Sequence, residues 1–175
     1  MRLLPALLLS LLVLPALAGQ TLDWLDLLPP EDLAALEAMP EIEHQGAEAA
    51  SGFYEQGLKQ QAGLPEVMYS SRTVAQLDGR RVRLGGYPVP LDAGADGRFS
   101  SFLLVPYPGA CIHVPPPPPN QIVLVRPAQP VALEDIYAPL WVEGTLHVEQ
   151  ADSALASSAY ALDASSVRPV GEGEY

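Results

Sequence analysis

The second half of the chain alternates apolar and polar residues with the period of a β-strand. In "RRVRLGGYPVPL", Val82 and Leu84 alternate with arginines, and the apolar positions change phase after Gly85-Gly86. A phase change at paired glycines is typical of a β-bulge, which bends a strand from one sheet face to the other. This stretch therefore predicts one long, bent strand.

Four further stretches predict strands. The continuous apolar runs in "FSSFLLVPY" and "QIVLV" indicate buried strands, and "SAYALDASSVRPV" indicates the last one. The stretch "LWVEGTLHVEQ" alternates over its whole length, which predicts a strand with one face in the core. Its inward positions are predicted to be Leu140, Val142, Leu146 and Val148, and its outward positions Trp141, Glu143, Thr145, His147 and Glu149.

Helical pattern is confined to the first half and to one short connection. The stretch "PPEDLAALEAM" predicts a short helix, because Pro30 suits its first turn and Glu31 and Asp32 suit its positive N-terminus. Residues 41–61 predict a weaker helix broken by glycines, and "LEDIY" predicts a short helix between strands. The apolar residues around Trp24 must dock on another element, so we expect the N-terminal segment to wrap the β part.

The order of the predicted elements is a bent strand, two strands, a short helix and two more strands. This order favours a mainly β fold, a small OB-like Greek-key barrel with a helical N-terminal extension, in which the bent strand belongs to both sides. A β-sandwich with fewer strands is the alternative. We predict a signal peptide over residues 1–18, an acidic, helical extension over 19–72 and the OB-like β domain over 73–175.

The first residues have the pattern of a secretory signal peptide. One basic residue precedes an apolar run from Leu3 to Leu17, and Ala16-Leu17-Ala18 is a cleavage site of the A-x-A type. The run is short for a membrane-spanning helix, which needs roughly 20 apolar residues. We expect cleavage after Ala18 and a periplasmic or secreted protein that is not integral to the membrane. The alternative is an N-terminal anchor helix.

Composition narrows the classes of partner and of site. The chain has 9 Lys and Arg against 21 Asp and Glu, a net charge of −12. Such a surface repels phosphate backbones, so no nucleic-acid partner is expected. Exported proteins meet an oxidising space where disulfides are common, yet this chain has one cysteine, Cys111. Its thiol cannot form an internal disulfide, and is predicted to be intermolecular, reactive, metal-bound or buried.

The stretch "FLLVPYPGACIHVPPPPPN" concentrates the chemistry of the chain. If residues 111–113 are extended, the side chains of Cys111 and His113 point to the same side, roughly 6.6 Å apart. Asn120, which ends the stretch, and the next residue, Gln121, can hydrogen-bond neighbouring backbone. Between His113 and Asn120, a stiff polyproline II rod of roughly 15 Å is predicted. It is formed by Pro115, Pro116, Pro117, Pro118 and Pro119.

Four interpretations of this stretch stay open. Cys111 and His113 are a small buried hydrophobe and a structural histidine, or they are ligands of a soft metal, zinc or copper. Alternatively, the proline rod binds a partner protein, or His113 lowers the pKa of Cys111 for thiol catalysis. A metal needs a third ligand, and the candidates are a carboxylate, a partner protein, His44, Met68 and His147.

Other candidates carry a weaker signal. His44 lies among glutamates in "EIEHQGAEAA", where a solvated acidic face is favoured over a metal site. Trp141 is either a stacking platform or, more commonly, a cover for the core, and Arg80, Arg81 and Arg83 are expected to be surface partners of acids. The chain has no P-loop, GxGxxG, GxSxG or CxxC motif. The usual nucleotide, hydrolase and thioredoxin signals are therefore absent, and no enzyme is predicted.

Three stretches together resemble a family of secreted bacterial proteins, known as domain of unknown function 3299: "VRLGGYPVPLD", "FLLVPYPGACIHVPPPPPNQIVLV" and "PLWVEGTLHVE". The resemblance covers about Val74 to Val148. It implies a small OB-like domain in the periplasm, associated with ABC-transporter components and in some cases with metal-responsive systems. It makes Cys111, His113, Pro115 and the pair Asn120-Gln121 the signature of the family but assigns them no role.

We therefore predict a periplasmic, non-enzymatic accessory or binding protein of an ABC-type membrane transporter. The predicted metal ligands are Cys111, His113 and His147, for zinc or copper. The predicted interaction residues are Pro115–Pro119, Asn120 and Gln121. The alternatives are a protein-interaction module built on the proline loop and a thiol-dependent enzyme.

Overall fold

The computed structural model describes residues 19–38, 65–91, 93–110, 116–171 and 173–174. The regular elements in these ranges are β1 (Gln20–Leu22), α1 (Pro30–Glu37), β2 (Arg80–Pro90), β3 (Phe102–Val105), β4 (Val123–Pro127), β5 (Leu140–Asp152) and β6 (Ser157–Pro169). Short 3-10 turns form at Trp24–Leu27, Glu66–Tyr69, Ala75–Leu77 and Pro119–Gln121. Within the described ranges α1 is the one α-helix, so the prediction of a mainly β protein is confirmed.

The strands form one mixed sheet that closes into a ring. The hydrogen-bonded order is β1-β2-β3-β4-β6-β5, and β5 also pairs with β2. β2 is shared between two partners, because residues 80–86 pair with β5 and residues 87–90 pair with β3. β4 lies parallel to β6, the short β1 lies parallel to β2, and the other neighbours are antiparallel. All five predicted strands are present, and β1 is an unpredicted sixth strand outside the ring.

Gly86 permits a close approach, and the paired glycines of β2 do not form the predicted β-bulge. The register between β2 and β5 is continuous through Gly86, after which β2 changes partner to β3. A Cβ at Gly86 would lie 2.8 Å from the Trp24 ring and 2.8 Å from the Val105 carbonyl oxygen. The prediction of a bulge at this point is therefore wrong. The register shifts lie between β5 and β6 instead, at Gly144 and after Val148.

Apolar side chains pack on both faces of this sheet. All five strands of the ring contribute to an inner core, whose large members include Tyr160, Phe102, Leu84, Leu104, Leu146 and Leu162. A second group, here called the outer cluster, consists of Val89, Leu103, Val105, Ala110 and Ile122, with Tyr87, Leu91, Leu124 and Ala156 partly buried at its edge. Because neighbours along a strand point to opposite faces, β3 supplies side chains to both groups.

The predicted alternation of β5 holds inside the ring and fails at Val148. Val148 is exposed, because the pairing of β2 with β5 ends at Leu146 and Val148 lies beyond the edge of the ring. Trp141 is buried but does not belong to the inner core, as expected for an outward position, and the Arg83 guanidinium lies 3.9 Å from the centroid of its ring. Packing, and not a stacking platform, therefore explains Trp141. Arg83 also pairs with Glu143 at 3.8 Å, as expected for a surface arginine.

The predicted short helix at "LEDIY" is wrong. The chain forms a turn there, in which Asp135 Oδ1 accepts a 2.8 Å hydrogen bond from the Tyr137 backbone N–H. An Asp side chain that binds nearby backbone competes with helix formation, which is the physical reason for the difference.

The N-terminal segment docks on the ring, as expected. β1 adds to β2, and Trp24 Nε1 donates a 2.7 Å hydrogen bond to the Gly85 carbonyl. α1 begins at Pro30, as predicted. The leader over residues 1–18, the predicted helix over 41–61 and His44 lie outside the described residues. No helix in the described part of the chain is long and apolar enough to cross a membrane.

Candidate functional site

Cys111 and His113, the predicted site, and Pro115, the first residue of the proline run, lie outside the described residues, because the structure does not describe 111–115. The structure does describe both flanks of this stretch. Each flank is held by packing or by hydrogen bonds. The flanks therefore establish where the stretch is attached to the ring.

The chain enters the stretch from the outer cluster. Ala110 is fully buried there, in the same cluster as Leu103 and Val105 of β3. Gly109, with a φ of 77°, supplies the left-handed turn that precedes it. The backbone that carries Cys111 thus starts from a fixed point on the outer face of β3.

The chain leaves the stretch through the proline run. Of the four described prolines, Pro117 and Pro118 are buried and the other two are half-buried. The Asn120 backbone N–H, directly after the run, donates a 3.2 Å hydrogen bond to the Ser70 carbonyl. The described part of the run is therefore packed against the protein along much of its surface.

Asn120 belongs to a group of polar side chains around a buried carboxylate, here called the Asp32 cluster: Asp32, Ser70, Arg72 and Asn120. The Asp32 side chain is fully buried. Its Oδ2 accepts hydrogen bonds from Ser70 Oγ at 2.5 Å and from Asn120 Nδ2 at 2.8 Å. Its Oδ1 accepts from Arg72 Nε at 2.8 Å and also from Arg72 Nη2. Three distant segments of the chain thus meet at one carboxylate.

The environment of Asp32 favours its ionised form. Burial by itself raises the pKa of Asp32, but the hydrogen bonds from Arg72, Ser70 and Asn120 and the charge of Arg72 outweigh it, so the pKa lies below its ordinary value. The hydrogen bond between Arg72 and Asp32 raises the pKa of Arg72 in turn. A buried charge is tolerated where it is paired and hydrogen-bonded. The Asp32 cluster therefore acts as a charged anchor and not as a proton donor at neutral pH.

The two polar residues after the proline run bind backbone, as predicted. Asn120 Nδ2 donates to the Arg72 carbonyl at 3.0 Å, and Gln121 Nε2 donates to the Trp24 carbonyl at 2.7 Å. Asn120 Oδ1 is buried and has no hydrogen-bond donor among the described residues. This part of the chain therefore ties the exit of the stretch to the N-terminal segment, and leaves one amide oxygen able to accept.

Tyr160 of β6 joins the same segments from inside the ring. Its hydroxyl donates to the Leu27 carbonyl at 2.8 Å and accepts from the Val74 N–H at 2.7 Å. Burial raises the pKa of Tyr160, although the Val74 hydrogen bond acts against it. The hydroxyl thus stays protonated and connects the ring to both parts of the N-terminal segment.

His147, the third predicted metal ligand, lies in a different environment. Its Nε2 lies 3.2 Å from Asp163 and its Nδ1 lies 3.8 Å from Asp78, on the partly exposed outer side of β5. Arg126 Nε binds Asp163 at 2.8 Å, and its Nη atoms bind Glu149. These five residues are here called the Asp163 cluster. In the described ranges no three His, Cys, Asp or Glu side chains converge as metal ligands.

Sequence reasoning missed the Asp32 cluster. Asp32 was explained by the dipole of its helix, which needs no distant partner, and no pattern relates it to Asn120, 88 residues later. The one available signal was the polar pair Asn120-Gln121 after the prolines, because buried amides need partners.

Comparison with known proteins places these features in a family. The model of the family described as "Protein of unknown function (DUF3299)" matches residues 24–169. A crystal structure of a DUF3299 family protein from Pseudomonas aeruginosa PAO1 is similar to this chain, with 40% sequence identity and a TM-score of 0.69. The similarity covers 88% of this chain and 97% of that chain. No functionally curated protein matches the chain.

Proposed function

The chain belongs to the DUF3299 family, as its motifs predicted, and we propose that it is a non-enzymatic binding protein. The proposed site is the stretch 111–115, which contains Cys111 and His113 and lies between two described flanks. The supporting observation is that both flanks are anchored, by the burial of Ala110 and by the hydrogen bonds of Asn120 to Asp32 and Ser70. Anchored flanks reduce the ordering entropy that binding must overcome.

The proposed ligand is a soft metal ion, zinc or copper(I). The stretch carries the thiol of Cys111 and the imidazole of His113, which are donors that these metals prefer. Two protein ligands do not complete a zinc site, so a further residue or a partner protein supplies the rest. Met68 is a candidate because it lies two residues before Ser70, whose carbonyl binds Asn120. His147 is the other candidate, although its nitrogens already face Asp78 and Asp163.

The proposed setting is the periplasm, where the protein would serve an ABC-type transport system as an accessory that receives or delivers the ion. The support for this setting is the leader pattern of residues 1–18 and what the resemblance of the three quoted stretches implies. A net charge of −12 also gathers cations near the surface.

The closed ring is proposed to be an OB-type barrel. Its support is the closed order β2-β3-β4-β6-β5 and the sharing of the long β2 between β3 and β5. A first strand that serves both sides is expected for a five-stranded barrel of this type.

The test is metal analysis of the full chain, exported with its own leader and purified anaerobically from the periplasm. The expected result is about one zinc or copper ion per chain, lost in Cys111→Ser and reduced in His113→Ala. His147→Asn removes an imidazole that lies outside the stretch. This variant tests whether His147 is the third ligand.

Tight metal binding that persists unchanged in Cys111→Ser would refute the metal site. The same is true of a chain that stays metal-free after anaerobic export and direct titration with zinc and copper(I). The interaction-module alternative then takes its place. It predicts that replacing Pro115–Pro119 by Gly and Ser abolishes the capture of a membrane partner while the fold is retained.

A further inference from the structure

After β6 the chain turns back and brings a carboxylate to the outer side of the ring. The Val170 backbone N–H donates a 3.0 Å hydrogen bond to the Pro139 carbonyl, which fixes where the returning segment begins. A turn follows, closed by a 3.2 Å hydrogen bond from the Glu174 N–H to the Gly171 carbonyl. Gly173, the third residue of this turn, has a φ of 80°, a conformation that favours glycine. The turn therefore directs the Glu174 side chain back to β6.

Glu174 forms a bidentate pair with Arg168 of β6. Arg168 Nη1 donates to Glu174 Oε2 at 2.8 Å, and Arg168 Nη2 donates to Oε1 at 3.1 Å. The Gly171 backbone N–H donates to Oε2 at 2.8 Å as well. The hydrogen bonds from Arg168 and then from Gly171 lower the pKa of Glu174 to about 2. The place that Glu174 occupies therefore favours a carboxylate in its ionised form.

Arg83 of β2 lies beside this pair and is hydrogen-bonded to neither nearby acid. Its guanidinium stacks on the Trp141 ring, 3.9 Å from the centroid, which orients it. Glu143 Oε1 lies 3.8 Å from Arg83 Nε, and Glu174 Oε1 lies 4.0 Å from Arg83 Nη2. Arg83 Nε is buried and has no hydrogen-bond partner among the described residues. The side chain as a whole is 27% exposed, so an acceptor from solvent can reach the guanidinium.

One oxygen of Glu174 faces both arginines. Oε1 lies 3.1 Å from Arg168 Nη2 and 4.0 Å from Arg83 Nη2, so the two guanidinium groups face the same point. The hydrogen bond from the Gly171 N–H holds the other oxygen, which limits how closely Glu174 can approach Arg83. A carboxylate that does not belong to this turn has no such restriction. Planar guanidinium groups suit it, because their parallel donors bind both of its oxygens.

The charges around the site favour a small carboxylate over a polyanion. Once Glu174 leaves, Arg83 and Arg168 outnumber Glu143, the other acid paired with Arg83. The site is then locally positive, which suits a ligand with one or two carboxylates. A polyanion would meet the net charge of −12 of the whole chain, which opposes its approach.

We propose that Arg83 and Arg168 form a binding site for a carboxylate ligand beside Trp141, and that Glu174 occupies this site until the ligand displaces it. The ligand takes the bidentate place on Arg168 and also accepts a hydrogen bond from Arg83. Glu174 is 39% exposed, so water can replace its partners when it leaves. The proposal is independent of Cys111, so this site and the metal site can fail separately.

The test is an NMR titration of the ¹⁵N-labelled chain, exported with its own leader, with sodium succinate. The Gly171 amide signal reports on Glu174, because this N–H binds the Glu174 carboxylate. Succinate is expected to move the signal towards its position in Glu174→Ala. The Arg83 Nε–H signal reports on the guanidinium itself. By this signal, Glu174→Ala is expected to bind succinate about threefold more tightly than the unchanged chain, because the internal competitor is gone.

Variants of the two arginines test the geometry of the site. Arg168→Lys is expected to weaken succinate binding about tenfold, because an ammonium group does not bind a carboxylate in a bidentate manner. Arg83→Lys is expected to weaken it about threefold, because the stacked guanidinium is lost. The matched control is Arg98→Lys, at an exposed loop arginine, and it is expected to bind like the unchanged chain.

Ligand controls separate carboxylate binding from salt effects. Succinamide, which is uncharged and similar in size, and sodium chloride at equal ionic strength are expected to leave the Gly171 signal near its starting position. An equal shift with these controls, no shift with succinate, or an equal loss of binding in Arg98→Lys would overturn the proposal.

A second titration identifies the source of the carboxylate. It uses an acetylated and amidated hexapeptide that carries two glutamates, at the same ionic strength. Tighter binding of the peptide than of succinate assigns the site to a carboxylate carried by another protein, and weaker binding assigns it to a free small molecule. Both results support the site, whereas binding of neither probe refutes it.

Discussion

The Asp32 cluster and the Asp163 cluster use the same chemistry in different surroundings. In both, an arginine Nε lies 2.8 Å from a carboxylate oxygen. The arginines are similarly exposed, at 49% for Arg72 and 38% for Arg126, but the Asp32 side chain is fully buried and the Asp163 side chain is 54% exposed. The burial of the carboxylate, and not the length of the ion pair, separates the two clusters.

Burial matters because water competes for an exposed carboxylate and cannot reach a buried one. Asp163 can exchange its protein partners for solvent, so its ion pairs stabilise the fold little. Asp32 depends on Ser70, Arg72 and Asn120 for its solvation. The clusters also differ in what they join: Asp163 links strands that are already paired, whereas Asp32 joins α1 to segments 38 to 88 residues away.

Removal of the buried carboxylate is the strongest test of this comparison. Asp32→Ala is expected to lower the free energy of unfolding by about 3 kcal/mol, because Ser70 loses its acceptor and Asn120 loses one of two. The half-exposed Arg72 can turn to water, which keeps the loss near this value. Urea denaturation measures it. The control is Glu31→Ala, an exposed acid in the same turn of α1, with an expected loss below about 1 kcal/mol; equal losses in the two variants would contradict the anchor.

The second-largest loss of unfolding free energy is expected from the uncharged bridge that the Tyr160 hydroxyl makes to the N-terminal segment. Tyr160→Phe removes the hydroxyl that bridges Leu27 and Val74, and is expected to cost about 2 kcal/mol of unfolding free energy, because two backbone groups lose a partner. Chemical denaturation again gives the value. Tyr137→Phe, at an exposed tyrosine, should change stability by less than about 0.5 kcal/mol. A Tyr160→Phe variant as stable as this control would show that the bridge is dispensable.

The pH dependence of stability sharpens the comparison further. Because the pKa of folded Asp32 lies below its ordinary value, the folded state binds fewer protons than the unfolded state as the pH approaches that value. The contribution of Asp32 is therefore complete above about pH 4 and is lost as the pH falls through the lower folded pKa. Unfolding curves recorded between pH 6 and pH 2 should fall more steeply for the unchanged chain than for Asp32→Asn. Parallel curves would mean that Asp32 is not the group responsible.

The exposed cluster is expected to give the smallest effect. Asp163→Ala removes a partner of both Arg126 and His147, yet solvent replaces these contacts, so the loss should not exceed about 1 kcal/mol. Thermal denaturation at low and at high salt is the measurement, and salt should reduce the difference further. A loss as large as that of Asp32→Ala would show that exposure does not distinguish the clusters.

Much of the ring could be predicted from local pattern, because strand formation depends on alternation and apolar runs within a few residues. The five strands and the start of α1 at Pro30 follow from such signals. The errors lie where neighbours in space decide. Val148 lies beyond the end of β2, Arg83 on the next strand lies against the Trp141 ring, and Gly86 makes room for Trp24.

The candidate site divides in the same way. The stretch Cys111–Pro115 could be found because rare residue types occur together, and its metal site stays a proposal. The Asp32 cluster had no local signal, because its members come from separate segments. No periodicity relates a helix acid to an amide 88 residues away.

By itself, the amino-acid sequence determined the class of the protein, the strands and helix with local periodicity, the family, and the stretch where its rare chemistry lies. Only the tertiary structure decided which strands close the ring and which carboxylate is buried. The physical reason is the distance along the chain over which each kind of interaction acts. Periodicity and turn chemistry act over a few residues, whereas desolvation, ion pairing and close packing depend on atoms that meet only when the chain has folded.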